Sequence, residues 1–215
     1  MKQGIKFTVA LFSVVVFIAC NNEKQPDTAP AIKDSAGQFE TDSSAPVAEN
    51  PYFVIVDRSP MDMVYFPEEY PKLKMANGKV VAKPVMRVIY SRPHLSRRHF
   101  SDILRYDSPW RLGANESTEI EFFRDVQIDG KRIPQGRYIL YGIPRENEWT
   151  IVLNSNTDTW GLQQDSTKDV HRVQVPVTHG MAPLEYFTIT FEKQDSGANL
   201  VMAWDDVMAR LKINW

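Results

Sequence analysis

The chain has 215 residues, 43% hydrophobic, 11% aromatic and 24% charged, with 10 Gly and 14 Pro, which excludes collagen, a coiled coil and a multi-pass membrane protein. Lys and Arg number 25 against 27 Asp and Glu, so the net charge of -2 offers no basic excess to hold a phosphate backbone, and nucleic acid is not an expected partner. A single Cys permits no internal disulfide, no Cys-based zinc site and no CxxC redox pair.

At the N-terminus Lys2 and Lys6 precede an apolar run from Phe7 to Ala19. Its thirteen residues suit the core of an export signal and fall short of the ~20 that span a bilayer. The run ends at Phe17-Ile18-Ala19-Cys20, which resembles the lipobox of bacterial lipoproteins despite Phe where Leu is usual. Residues 1–19 are therefore expected to be a signal peptide. Cys20 is expected to carry acyl chains such as palmitate, making the membrane a partner and the cell envelope, at its outer membrane, the location. Residues 21–50 hold Pro26, Pro30 and Pro46, six acids, two Lys and few apolar side chains, the composition of a disordered acidic linker. Within it Asp27-Thr28-Ala29 and Asp34-Ser35-Ala36 resemble bacterial O-glycosylation sites.

From position 51 to 215 acids and bases balance, and the length fits one domain with a sizeable core. Short apolar runs alternate with turn residues, which predicts an all-β, antiparallel β-sandwich. A helix is expected only over Arg98 to Leu104. Thr118, Ile120 and Phe122 share one face, with Glu119 and Glu121 on the other. Asp129-Gly130 is a hairpin turn after Val126-Gln127-Ile128, and a second turn at Pro134-Gln135-Gly136 leads into Tyr138 to Ile143. Further strands are predicted over Glu148 to Asn154, Val170 to Val177 and Tyr186 to Phe191. After Leu200, Met202 and Trp204, Asp205-Asp206 interrupts, and Val207 to Ile213 alternates again as a strand in preference to an amphipathic helix. Ile120, Phe122, Tyr138, Leu140, Ile151, Leu153 and Trp204 are the expected inward residues.

The four His lie at 94, 99, 171 and 179 without HxH, HxxxH or HExxH spacing, so no metal site and no cofactor is expected. No GxSxG elbow, GxGxxG or Walker loop is present. Glu119 and Glu121, roughly 6 to 7 Å apart along a strand, read as the wet face rather than a hydrolytic pair. The segment from Tyr90 to Glu116 is richer. Arg92, Trp110, Arg111, Asn115 and Glu116 are the candidate ligand-binding residues, because guanidinium forks, an indole face and short polar side chains together suit a sugar-like or anionic group. Gly113 between them permits close backbone approach. The opposing reading pairs the arginines with carboxylates as internal struts.

Tyr90-Ser91-Arg92-Pro93, Trp110-Arg111-Leu112-Gly113-Ala114-Asn115-Glu116, Ile133-Pro134-Gln135-Gly136-Arg137-Tyr138, Asp158-Thr159-Trp160-Gly161 and Asp169-Val170-His171-Arg172 together resemble a bacterial family, domain of unknown function 2911, frequent in exported Bacteroidetes proteins. The resemblance spans roughly residues 57 to 213 and implies a β-rich exported domain with no catalytic residues to carry over. Ser96-Arg97-Arg98-His99 stands where that family often has Gly before the Arg. Three functions follow as expectations. The first is a non-enzymatic envelope lipoprotein binding a small polar ligand, glycan or protein partner. The second is a glycan-directed hydrolase using Glu116, and the third a purely structural subunit.

Overall fold

The computed structural model describes residues 57–77 and 83–215, so the signal peptide, Cys20 and the linker lie outside the described residues. Eleven strands follow in order: β1 (Met61–Phe66), β2 (Met86–Ser91), β3 (Thr118–Phe122), β4 (Val126–Ile128), β5 (Lys131–Ile133), β6 (Gly136–Pro144), β7 (Glu148–Asn154), β8 (Asp169–Thr178), β9 (Leu184–Gln194), β10 (Gly197–Asp205) and β11 (Val207–Asn214). Helix α1 (Tyr70–Asn77), the single turn α2 (Phe100–Ile103) and a 3-10 turn at Ser166–Lys168 complete the regular structure of the described residues. The helix expected near Arg98 is α2; α1 is additional. It has Pro71 in its first turn, where a missing N–H costs nothing, but no apolar stripe that would announce it in the sequence.

All the strand pairs are antiparallel, in the order β1-β2-β3-β6-β7-β8-β11-β10-β9, with β4 pairing both β11 and β5. The all-β antiparallel expectation holds. The two layers of the expected sandwich are two halves of one rolled sheet. On one side they join through a short ladder, Met208 to Thr178 and Ala209 to Val177. On the other side the chain leaving β2 pairs with the start of β9: Leu95 N donates to Glu185 O and Phe187 N to Pro93 O, each at 2.9 Å. The result is a nearly closed barrel.

Every residue expected inward is buried, including Ile120, Leu140, Ile151, Leu153 and Trp204 at 0 or near 0% exposure. Period-two alternation explains this, because register holds one face of each strand toward the interior. Facing outward, Arg87 pairs with Glu121 at 2.8 Å and Arg137 with Glu119 at 3.6 Å, so both glutamates belong to a neutralised polar face. At one mouth of the barrel α2 inserts Phe100 as a plug. Its ring stacks on Trp149 at 5.6 Å and meets Trp204 edge-on at 6.1 Å. Aromatic burial of this kind dominates core energetics in a domain this size.

Candidate loop site

Two loops pack together outside the barrel: residues 111–117, which lead into β3, and residues 155–165, which follow β7. Four residues in them take left-handed backbone: Leu112 (φ 51), Asn115 (φ 59), Asp158 (φ 62) and Gly161 (φ 79). Leu112 is the costly one, since a bulky side chain disfavours this region. It is held there by burial and by the Thr118 hydroxyl, which donates to its carbonyl at 2.6 Å. Gly161 tolerates its conformation and its crowding alike. A Cβ there would lie 2.5 Å from Ser117 Oγ and 3.2 Å from Arg111 Cβ.

The loops are joined by polar contacts. The hydroxyls of Ser117 and Thr159 lie 3.2 Å apart, and Arg111 Nη1 donates to the Asn115 carbonyl and, at 3.3 Å, to the Trp160 carbonyl. Asn115 Nδ2 donates to the Asp57 carboxylate. Asp158 is tied to Arg137 at 3.0 Å, and buried Asn154 donates to Asp165 O and Asp169 Oδ1 at 2.8 Å, anchoring the second loop at both ends. Held on this frame, Trp160 is 57% exposed and Leu162 73% exposed.

The five residues singled out in the sequence therefore separate. Arg111 and Asn115 come together in this loop pair, with Glu116 beside them and exposed. Trp110 turns inward instead. Its ring lies 4.9 Å from Phe187 and stacks on Trp204 at 5.9 Å, while its Nε1 donates to Gly113 O. Arg92 is a strut on the other side of the seam. It donates to Phe187 O at 3.1 Å and Thr188 Oγ1 at 3.0 Å and pairs with Asp62 at 3.2 Å. The close approach at Gly113 is to Ser91 of β2, whose carbonyl would lie 2.9 Å from a Cβ.

Trp160 is not among the five candidates, although a Trp in the polar stretch Asp158-Thr159-Trp160-Gly161 has no alternating partner and so no predicted inward face. Burial lowers the Arg111 pKa, yet an arginine remains charged at any physiological pH. Among the described residues, Arg111 donates to carbonyls and forms no ion pair. No three His, Cys, Asp or Glu side chains among the described residues gather to hold a metal ion. The site offers an indole face, a guanidinium, a carboxamide and carboxylates, which is equipment for holding a polar ligand.

Residues 72–213, most of the folded domain, match the family model described as protein of unknown function (DUF2911). The chain belongs to the DUF2911 family. Both strings that build the loop pair, Trp110 to Ser117 and Asp158 to Gly161, lie inside the matched region of this DUF2911 domain. No curated protein and no solved structure matches the chain.

Proposed function

We propose that this DUF2911 protein is a cell-envelope lipoprotein, anchored through Cys20 to the outer membrane, whose loop pair binds a small polar ligand of the saccharide class. The exposed indole of Trp160, fixed by the left-handed Asp158 and Gly161 beside Arg111, carries the reading. Loops tend to be mobile, whereas the backbone presenting this indole is fixed by cross-loop bonds, as preorganised binding surfaces are. A pyranose ring stacks its C–H face on an indole, and Asn115, Arg111 and Glu116 supply donors and acceptors for hydroxyls around it.

Two experiments test this. The full chain with Cys20→Ser, to keep it in solution, is screened on an array of bacterial and dietary glycans, and any hit is measured by calorimetry against Trp160→Ala and Arg111→Ala. Binding lost in both variants at unchanged melting temperature supports the reading; no hit, or equal affinity in Trp160→Ala, overturns it. For the anchor, cells are fed an alkynyl palmitate analogue. Label on the wild type and none on Cys20→Ser supports lipidation.

A further inference from the structure

At the barrel mouth closed by α2, on the β10–β11 side, a cleft of about 220 Å3 is lined by His99, Ser101, Tyr106, His179, Asp205 and Asp206. Barrel mouths are common positions for small-molecule sites. The turn Asp205-Asp206, between the paired Trp204 and Val207, places Asp205 in the left-handed region, φ 54, and turns its carboxylate inward. Asp205 is 7% exposed, and its Oδ2 accepts from Phe100 N at 3.0 Å and lies 3.3 Å from His99 Nδ1. That contact fixes the imidazole tautomer. With the proton on Nδ1 facing Asp205, Nε2 carries the lone pair, and the ring is 82% exposed. His179 is fixed in the opposite sense. Its Nε2 donates to Glu146 O at 2.8 Å, which leaves the lone pair on Nδ1.

We infer that this cleft is a hydrolytic site separate from the loop pair, with His99 as general base and Asp205 as the positioning residue that orients it. An imidazole held by a buried carboxylate is the arrangement that general-base catalysis uses. In the step, water gives a proton to His99 Nε2 while its oxygen bonds to the carbonyl carbon of an ester. Collapse of the tetrahedral intermediate breaks the bond to the alkoxy oxygen, which takes the proton back from the imidazolium. The products are an acid and an alcohol, with no redox change. The Tyr106 and Ser101 hydroxyls are the side-chain donors the cleft offers to the oxyanion. Among the described residues no Lys or Arg lines it, and Asp205 and Asp206 make it anionic, so a small neutral acyl ester suits it better than a phosphate ester.

The probe is 4-nitrophenyl acetate with the Cys20→Ser chain. Wild type should hydrolyse it saturably and well above an equal concentration of free imidazole. His99→Gln should lower the rate at least about a hundredfold, the range of general-base contributions. Asp205→Asn, which can still accept from Phe100 N, should lower it less and shift the pH–rate profile. The groups facing His99 that shape this profile are Asp205, Asp206, His179, Tyr106 and Asp102, whose Oδ2 accepts from His99 N. His94→Gln, outside the cleft, is the control and should leave the rate alone. Circular dichroism and melting temperature establish that each variant is folded. A rate no greater than that of free imidazole, or one unchanged in folded His99→Gln, overturns the inference and leaves the loop-pair reading intact.

Discussion

The Tyr90 hydroxyl answers both backbone groups of Ile189: it accepts from the Ile189 N–H at 2.9 Å and donates to the Ile189 carbonyl at 3.3 Å. Tyr90 lies on β2 and Ile189 on β9, so a side chain from across the interior does what a neighbouring strand would do at this stretch of the seam. Tyr90→Phe keeps the ring against Phe187 but removes the partner of a buried N–H. An unsatisfied buried donor costs about 1–3 kcal/mol. Urea denaturation should show a loss in that range with the strand signal intact; an unchanged midpoint would mean the seam does not depend on this pairing.

The same burial makes the fold sensitive to base. It pushes the Tyr90 phenol up to about 12, and burial with the Asp169 hydrogen bond pushes Tyr141 up to about 12. In the unfolded chain both ionise near the free value of about 10. Both groups hold their protons in the native state where the unfolded state releases them. Their contribution is therefore fully present below about pH 10 and is lost as pH rises toward about 12. Urea midpoints should fall across that window, before the phenolate absorbance of these two buried tyrosines appears in the native protein. A Tyr90→Phe, Tyr141→Phe variant should show a shallower decline.

Strands β3 and β11 are legible because each keeps one apolar phase, and β6, β7 and β10 because their apolar runs carry that phase even where the second face is buried too, at Ile139, Tyr141, Val152 and Val201. Asp129-Gly130 is legible because both residues take positive φ, 48 and 72. The closure of the barrel was not. Pro93–Leu95 pairs with residues 185–187, almost a hundred positions away, and although β9 alternates, nothing in residues 93–95 alternates to announce the pairing. The same distance explains the candidate site. Trp110 sits in loop-like sequence, and Phe100, Trp149, Phe187 and Trp204, most of them brought from far along the chain, pack around its ring. Arg92 is decided likewise by Asp62 and Thr188. Trp160 escaped notice for the complementary reason: exposure has no periodicity to read.

Gly197, at the start of β10, separates steric need from conformational need. Its φ lies outside the left-handed region, yet a Cβ there would overlap the Ile213 carbonyl oxygen and come within 2.9 Å of Asn214 Cα. Both obstacles are backbone of the paired strand β11, which cannot rotate aside. Gly197→Ala should therefore push the β10–β11 ladder apart and cost about 1–3 kcal/mol, as overpacking does. Gly180→Ala, with positive φ but nothing within 4 Å, isolates the conformational cost and should lose about 1–2 kcal/mol. Hydrogen exchange distinguishes them: only the Gly197 variant should lose protection along β11.

Arg92 and Arg111 looked equivalent in the sequence and should behave oppositely on truncation. Arg92 is about one-third exposed, and its guanidinium spans Phe187 O, Thr188 Oγ1 and the Asp62 carboxylate, tying β1 and β9 across the seam. Arg92→Ala releases all three contacts at once. Hydrogen bonds to a charged group are worth about 1.5–3 kcal/mol, and exposure of Asp62 trims the ionic part, so a loss of about 2 kcal/mol is expected. Arg111 holds the Asn115 and Trp160 carbonyls in surface loops, where water can replace it. Its removal should cost no more than about 1 kcal/mol while abolishing ligand binding at the loop pair. Arg111→Lys should not rescue that binding, because one ammonium cannot hold two carbonyls and still face a ligand as a planar fork does. Thermal melts and calorimetric titrations of the three variants decide between these outcomes. If Arg111→Ala destabilises as much as Arg92→Ala and binding falls only in step with unfolding, both arginines are struts.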